Sequence, residues 1–130
     1  MELLIQQQMS LADINKSFQK HFPFLKLKFY CTEDVTTPRR YASEPFDSTV
    51  SMARQIKNTL PSVIKFNPTD TTEEFEQVFK KKLGLHVRVV RKHNEDWVDT
   101  KQTKFLNLKS QNSLGSLQTH EHYNDYTLFL

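Results

Sequence analysis

Residues 64–91, IKFNPTDTTEEFEQVFKKKLGLHVRVVR, carry the clearest structural signals in the chain. Thr69, Asp70 or Thr71 can cap a helix N-terminus, and Thr71 and Glu74 have the spacing of a capping box. Gly84 stands where a left-handed C-terminal cap is expected. The apolar residues between them fall on one helical stripe: Phe75, Val78, Phe79 and Leu83. Apolar and polar residues alternate in the segments before and after this helix, as in strands with one covered face. The segment therefore predicts a strand, a helix and a second strand.

An earlier stretch has the same pattern. An offset of 61 residues, the separation of Ser10 and Thr71, also pairs Leu3 with Ile64 and Phe18 with Phe79. Residues 25–30 then alternate as residues 85–90 do. Self-similarity at a fixed offset is the signature of a repeat, so we interpret the chain as two copies of one β-α-β unit.

The predicted fold class is α+β. We expect duplicated β-α-β units that form a ferredoxin-like antiparallel or mixed sheet with the helices on one face. Parallel pairing within each unit is the alternative, because each unit contains a crossover helix. The expected layout is a single domain over 1–130, with unit one at 2–31, a connection at 32–61, unit two at 62–91, and a hairpin strand with a C-terminal extension at 92–130.

The remaining segments have weaker patterns. Residues 48–60 fit either a short helix or a strand. The polar run 92–96 predicts a turn that pairs residues 97–100 with strand 85–91, with Trp97 covering one end of the core. Residues 105–108 suggest a short helical turn before the polar run 110–113. The apolar residues 126–130 suggest a docked strand, with a frayed tail as the alternative.

Composition excludes several classes of protein. The single cysteine, Cys31, cannot form an internal disulfide, and the two glycines cannot build a glycine-rich phosphate cradle. No segment reaches the roughly 18 apolar residues of a membrane span, and no secretory apolar core is present. We expect a cytoplasmic protein with no membrane partner, whose net charge of +3 permits an anionic partner.

The main functional candidate is the uncovered face of the predicted sheet. The side chains expected there are Lys26, Lys28, Tyr30, Lys65, His86 and Arg88. A basic face with an aromatic residue suits a phosphate backbone or an acidic protein. An ordinary solvated strand face also carries Lys and Arg, and the sequence shows no pair of stacking aromatics typical of an RNA-binding sheet.

Other candidate chemistry is weak. His120 and His122 would share one side of an extended segment, but zinc needs two further ligands, so we expect no metal site. Nothing marks Cys31 as an activated nucleophile, and the acidic residues 73–76 and basic residues 80–82 are explained by helix-end electrostatics. No catalytic residues or cofactor are predicted.

Residues 75–92, FEQVFKKKLGLHVRVVRK, followed by Trp97, resemble an uncharacterised family of small bacterial proteins. In that family a helix ending at Gly is followed by an alternating strand, a short turn and a Trp-bearing strand. Residues 11–18, LADINKSF, resemble its N-terminal part. The turn in the family usually contains Gly, whereas this chain has HNED at 93–96. The resemblance implies no activity.

These patterns together predict a non-enzymatic binding module. A protein partner, or a second copy of the chain, is the first expectation for what it binds. Nucleic-acid binding through the basic face is the alternative.

Overall fold

A computed structural model describes the backbone of residues 1–30 and 60–128 and the side chains of residues 1–30 and 60–119. The described strands are β1 Glu2–Ile5, β2 Leu25–Tyr30, β3 Ser62–Lys65, β4 His86–His93 and β5 Asp96–Asp99. The helices are α1 Leu11–His21, α2 Thr72–Leu83 and α3 Leu108–Leu128, with a 3-10 turn at Lys101–Thr103. This arrangement confirms the α+β class. Expectations that concern Cys31, residues 32–59 or the side chains of His120 and His122 lie outside the described residues.

Both predicted helices begin at the residues that the sequence indicates. The Ser10 hydroxyl accepts the Asp13 N–H at 3.2 Å while the Asp13 carboxylate accepts the Ser10 N–H at 2.9 Å. Thr71 and Glu74 form the same reciprocal pair at 3.1 and 3.0 Å. These bonds to the ionised carboxylates lower the pKa of Asp13 and of Glu74. Helix α2 ends at Gly84, whose φ of 66° is the left-handed cap conformation.

The strands pair between the two units. Strands β1 and β3 form a two-stranded antiparallel sheet in which Leu3 faces Ile64, and β2, β4 and β5 form a three-stranded antiparallel sheet in that order. The expected single ferredoxin-like sheet is not confirmed, nor is parallel pairing within a unit, because β1 and β2 do not pair among the described residues. Helix α1 joins β1 to β2 and α2 joins β3 to β4, so each of these two helices connects a strand of one sheet to a strand of the other.

Aromatic rings from both helices fill the core. The ring of Phe75 lies 5.2 Å from Phe18, 5.3 Å from Phe66 and 5.9 Å from Phe79, measured between centroids. The inward residues of β2 and β4 complete the same cluster: Leu25, Leu27, Phe29, Val87 and Val89. Burial of such rings contributes about 2–3 kcal/mol each, so this cluster is the main source of stability.

A buried asparagine closes the outer edge of β2. The Asn15 amide group donates to the Leu27 carbonyl at 2.8 Å and accepts the Leu27 N–H at 2.7 Å. Asn15 is only 8% exposed, so water cannot easily replace these bonds. Helix α1 thus provides the hydrogen bonds that a neighbouring strand would otherwise supply.

The C-terminal segment differs from the sequence-based expectation. The backbone is helical from Leu108 to Leu128, so the predicted short turn at 105–108 and the docked strand beginning at residue 126 are wrong. Gly115 allows this helix to approach Phe24, the residue before β2, because a Cβ there would lie 2.8 Å from Phe24 Cβ. Arg91, on the inner face of β4, donates to Gln111 at 2.7 Å and to Gln118 at 3.1 Å. Polar contacts and close approach, rather than an apolar stripe, attach α3 to the sheet.

The predicted hairpin after β4 is confirmed, and its turn is the two residues Asn94 and Glu95 between the paired His93 and Asp96. Asn94 has a φ of 56°, a conformation that Asn adopts more readily than most residues. Among the described residues, no helix combines the length and the apolar character that a membrane span requires.

We predict that Asn15→Ala lowers the free energy of unfolding by about 2–4 kcal/mol, because it leaves the buried N–H and C=O of Leu27 without partners. Urea denaturation monitored by circular dichroism measures this change. Lys16→Ala, at an exposed position on the same helix, is the matched control and should shift the midpoint little. Equal midpoints for the two variants would contradict the proposed role of Asn15.

Candidate functional site

The strand register brings five of the six predicted binding residues onto one face of the three-stranded sheet. Lys28 pairs with Arg88 and Tyr30 pairs with His86, while Lys26 pairs with Val90. Their inward neighbours belong to the core cluster, so these side chains point to the opposite side. We call this side the outer face. Its charged and aromatic side chains are partly exposed.

Lys65 is not part of the outer face. It lies in β3 of the other sheet, where it is exposed and pairs with Glu2. The sequence-based grouping of Lys65 with Lys26 and Arg88 assumed one continuous sheet. The division into two sheets removes the basis for that grouping.

Trp97 lies on the outer face, and the expectation that it covers the end of the core is wrong. It pairs with Lys92, whose Nζ lies 5.1 Å from the centroid of the indole ring, and Lys26 Nζ lies 5.7 Å from that centroid. Both distances are within the range of cation–π attraction. The signal in the sequence was the length of the turn, since a two-residue connection at Asn94 and Glu95 fixes which side Trp97 occupies.

A second pair of rings lies at the opposite end of the outer face. The rings of Tyr30 and His86 meet edge to face with centroids 6.0 Å apart. Burial raises the pKa of the Tyr30 hydroxyl. Burial, followed by the charges of Arg88 and Lys80, lowers the pKa of His86 and so favours the neutral imidazole. The two aromatic ends are separated by six residues of β4, which is about 20 Å of strand.

Positive charge predominates between the aromatic ends. The cationic side chains of the paired strands on this face are Lys26, Lys28, Arg88 and Lys92. They are accompanied by the carboxylate of Asp99, which lies 3.5 Å from the Arg88 guanidinium. Because Asp99 is 54% exposed, this ion pair contributes little to stability, and Arg88 can exchange Asp99 for another anion.

A cavity of about 170 Å³ lies at the edge of β4 beside Arg88. Strand β5 ends at Asp99, which pairs with Val90, so the Val89 backbone has no strand partner on the side of β4 that faces away from β2. Glu76 accepts the Val89 N–H at 2.9 Å, and the Thr100 hydroxyl donates to the Val89 carbonyl at 2.6 Å. Side chains from α2, β4 and the segment after β5 line the cavity: Glu73, Glu76, Gln77, His86, Arg88, Thr100, Lys101 and Lys104.

Glu76 is the residue that sequence reasoning missed. Burial raises the pKa of its carboxyl to about 7, although the hydrogen bond from Val89 and the charge of Arg88 act in the opposite direction. Helix-end electrostatics therefore explain only part of why an acidic residue occurs at position 76. The signal in the sequence was the offset of 61 residues, which aligns Glu76 with Asn15, a residue that also bonds to a strand backbone.

No group of three metal-ligating side chains is close enough to hold an ion in the parts of the chain that the structure describes. Glu73 and Glu76 share a cavity with His86, but they do not form such a group. The polar side chains that line the cavity can donate and accept hydrogen bonds.

Comparison with known proteins gives no match to a protein-family model, a curated protein or a solved structure. The resemblance of residues 75–92 and Trp97 to an uncharacterised bacterial family stays a prediction.

We predict that Glu76→Gln raises the free energy of unfolding at pH 8 by about 1–3 kcal/mol. Gln can still accept the Val89 N–H but carries no buried charge. The folded-state pKa of about 7 lies above the ordinary 4.5, so protonated Glu76 favours the folded state, and this contribution is lost as the pH rises from 4.5 through 7.

Urea denaturation at pH 4.5 and pH 8 measures this difference, which should nearly vanish at the lower pH. The matched control is Glu2→Gln, at an exposed position of β1 that is not part of the cavity lining. If Glu76→Gln differs from the wild type in stability by the same amount at both pH values, Glu76 does not carry a buried charge at pH 8 and the prediction is wrong.

Proposed function

We propose that the outer face of the three-stranded sheet binds single-stranded nucleic acid. The observation that carries this proposal is the position of Trp97 beside Lys26 and Lys92, on the same face as Lys28 and Arg88. Bases stack on exposed aromatic rings, and cations next to the rings neutralise the phosphates. A protein partner ranks first on sequence alone, and the location of Trp97 reverses that order.

The geometry favours a single strand over a duplex. Stacking on Trp97 requires an unstacked base, which a single strand provides and a duplex does not. The ring pair of Tyr30 and His86 offers a second apolar contact at the far end of the face. Lys28 and Arg88 lie directly opposite each other between these two ends, where a bound strand would place its backbone.

The scaffold supports a further proposal, that the chain is a single domain formed by an internal duplication. The two units have the same order of elements and the same capping box, and Leu3 faces Ile64, its equivalent at the offset of 61 residues. Residues of both units also share one core cluster. A cytoplasmic location is compatible with the proposed binding of single-stranded nucleic acid.

An acidic protein surface is the second candidate ligand. The cations of the outer face favour it, because Coulomb attraction does not depend on the presence of bases. Polyglutamate tests this candidate directly, since it presents a line of carboxylates without any ring that could stack on Trp97.

We predict that a 15-nucleotide oligothymidylate quenches the fluorescence of Trp97, which is the single tryptophan of the chain. In anisotropy measurements with labelled oligonucleotide, Trp97→Leu should weaken binding by about 1–3 kcal/mol, which is roughly 5- to 150-fold in Kd. The plot of log K against log salt has a negative slope, and Lys28→Gln should make it less steep by about 0.7, as expected for one lost contact to a single-strand phosphate.

Lys65→Gln is the matched control, because it removes one charge from the other sheet and should leave Kd and the salt slope nearly unchanged. An absence of oligonucleotide binding at low salt would refute the proposal. Quenching by oligothymidylate but not by polyglutamate supports nucleic acid, whereas tighter binding of polyglutamate would favour the acidic protein.

A further inference from the structure

Arg88 connects the outer face to the cavity at the edge of β4. It pairs with Lys28 on the outer face, and its side chain also lines the cavity that contains the Glu76 carboxyl. The fixed anchor of Glu76 is its hydrogen bond from the Val89 N–H, one residue from Arg88. A change in the charge of Glu76 therefore acts on the outer face at short range.

We propose that Glu76 makes the binding of single-stranded nucleic acid pH-dependent, with protonation of its carboxyl strengthening binding. This inference rests on the proposed function. The neutral carboxyl no longer offsets the charge of Arg88, so the outer face gains positive potential toward a polyanion. The half-enclosed position at the edge of β4 limits screening by water and salt.

The other charged groups around Glu76 determine how specific this effect is. They are Glu73 on α2, His86 and Arg88 on β4, Asp99 on β5, and Lys101 and Lys104 in the segment that follows. Glu73 pairs with Lys104 at 3.4 Å, and Asp99 pairs with Arg88. Burial raises the pKa of Glu76 to about 7, whereas the pKa of His86 is lowered from 6.5. Glu76 therefore gains its proton at a higher pH than His86.

The coupling has a defined sign and is reciprocal. Between pH 8 and pH 6.5 the Glu76 carboxyl gains most of its proton, and affinity for a polyanion should rise over this interval. Thermodynamic linkage requires that a bound polyanion raise the pKa of Glu76 in turn. If Glu76 is the group responsible, replacing it with Gln should abolish the change in affinity between pH 8 and pH 6.5.

The test measures Kd of a labelled 15-nucleotide oligothymidylate at pH 6.5, 7.2 and 8.0 at constant ionic strength. Wild-type affinity should increase about three- to tenfold from pH 8.0 to 6.5, as expected for one elementary charge near the site. Glu76→Gln should bind at pH 8.0 as tightly as the wild type does at pH 6.5 and should vary little with pH. Glu2→Gln, the matched control, changes an exposed residue of β1 in the other sheet and should keep the wild-type dependence.

A second measurement separates the possible outcomes. Carbon-13 NMR titration of the Glu76 side chain should show a higher pKa with oligothymidylate bound than without it. Binding with the same pH dependence in wild type and Glu76→Gln would overturn the inference and leave the proposed function intact. No binding at any pH would overturn both.

Discussion

The antiparallel pairing of β2 with β4 determines both the core and the candidate site. It places β2 and β4 side by side, so that their alternating residues agree on which side is apolar. On the inner side these strands meet the phenylalanines of α1 and α2. On the outer side the same register sets Lys28 opposite Arg88 and Tyr30 opposite His86. A shift of one residue would bury these charges and expose the core.

The helices also complete the backbone hydrogen bonding of these two strands. Asn15 offers a donor and an acceptor, so it satisfies both polar groups of Leu27 while staying neutral. The equivalent residue of the second unit, Glu76, can only accept when ionised, and Thr100 supplies the missing donor to Val89. The same kind of backbone hydrogen bond is thus accepted by a neutral amide on α1 and by a titratable carboxyl on α2.

Sequence patterns predicted the parts of the fold that depend on local chemistry. The capping boxes at Ser10 and Thr71, the Gly84 cap and the hairpin after β4 are confirmed because each is specified by neighbouring residues. The division into two sheets depends on contacts between distant segments, which no local pattern encodes, and the grouping of Lys65 with the outer face was lost with it. Helix α3 was missed because Gln111, Gly115 and Gln118 attach it through polar and close contacts. The position of Trp97 follows from the register of β5 with β4, and the role of Glu76 follows from the geometry at the edge of β4. Neither could be read from neighbouring residues in the sequence.

Nuclear Overhauser spectroscopy of the intact chain tests the central pairing most directly. The backbone groups of Leu27 and Val89 bond to Asn15, Glu76 and Thr100, which makes this facing pair the non-hydrogen-bonded type with close Cα atoms. We expect a strong cross-peak between the Hα protons of Leu27 and Val89, and another between Phe29 and Val87. Cross-peaks that instead connect β2 with β1 in a parallel register, without a Leu27 to Val89 peak, would contradict the account.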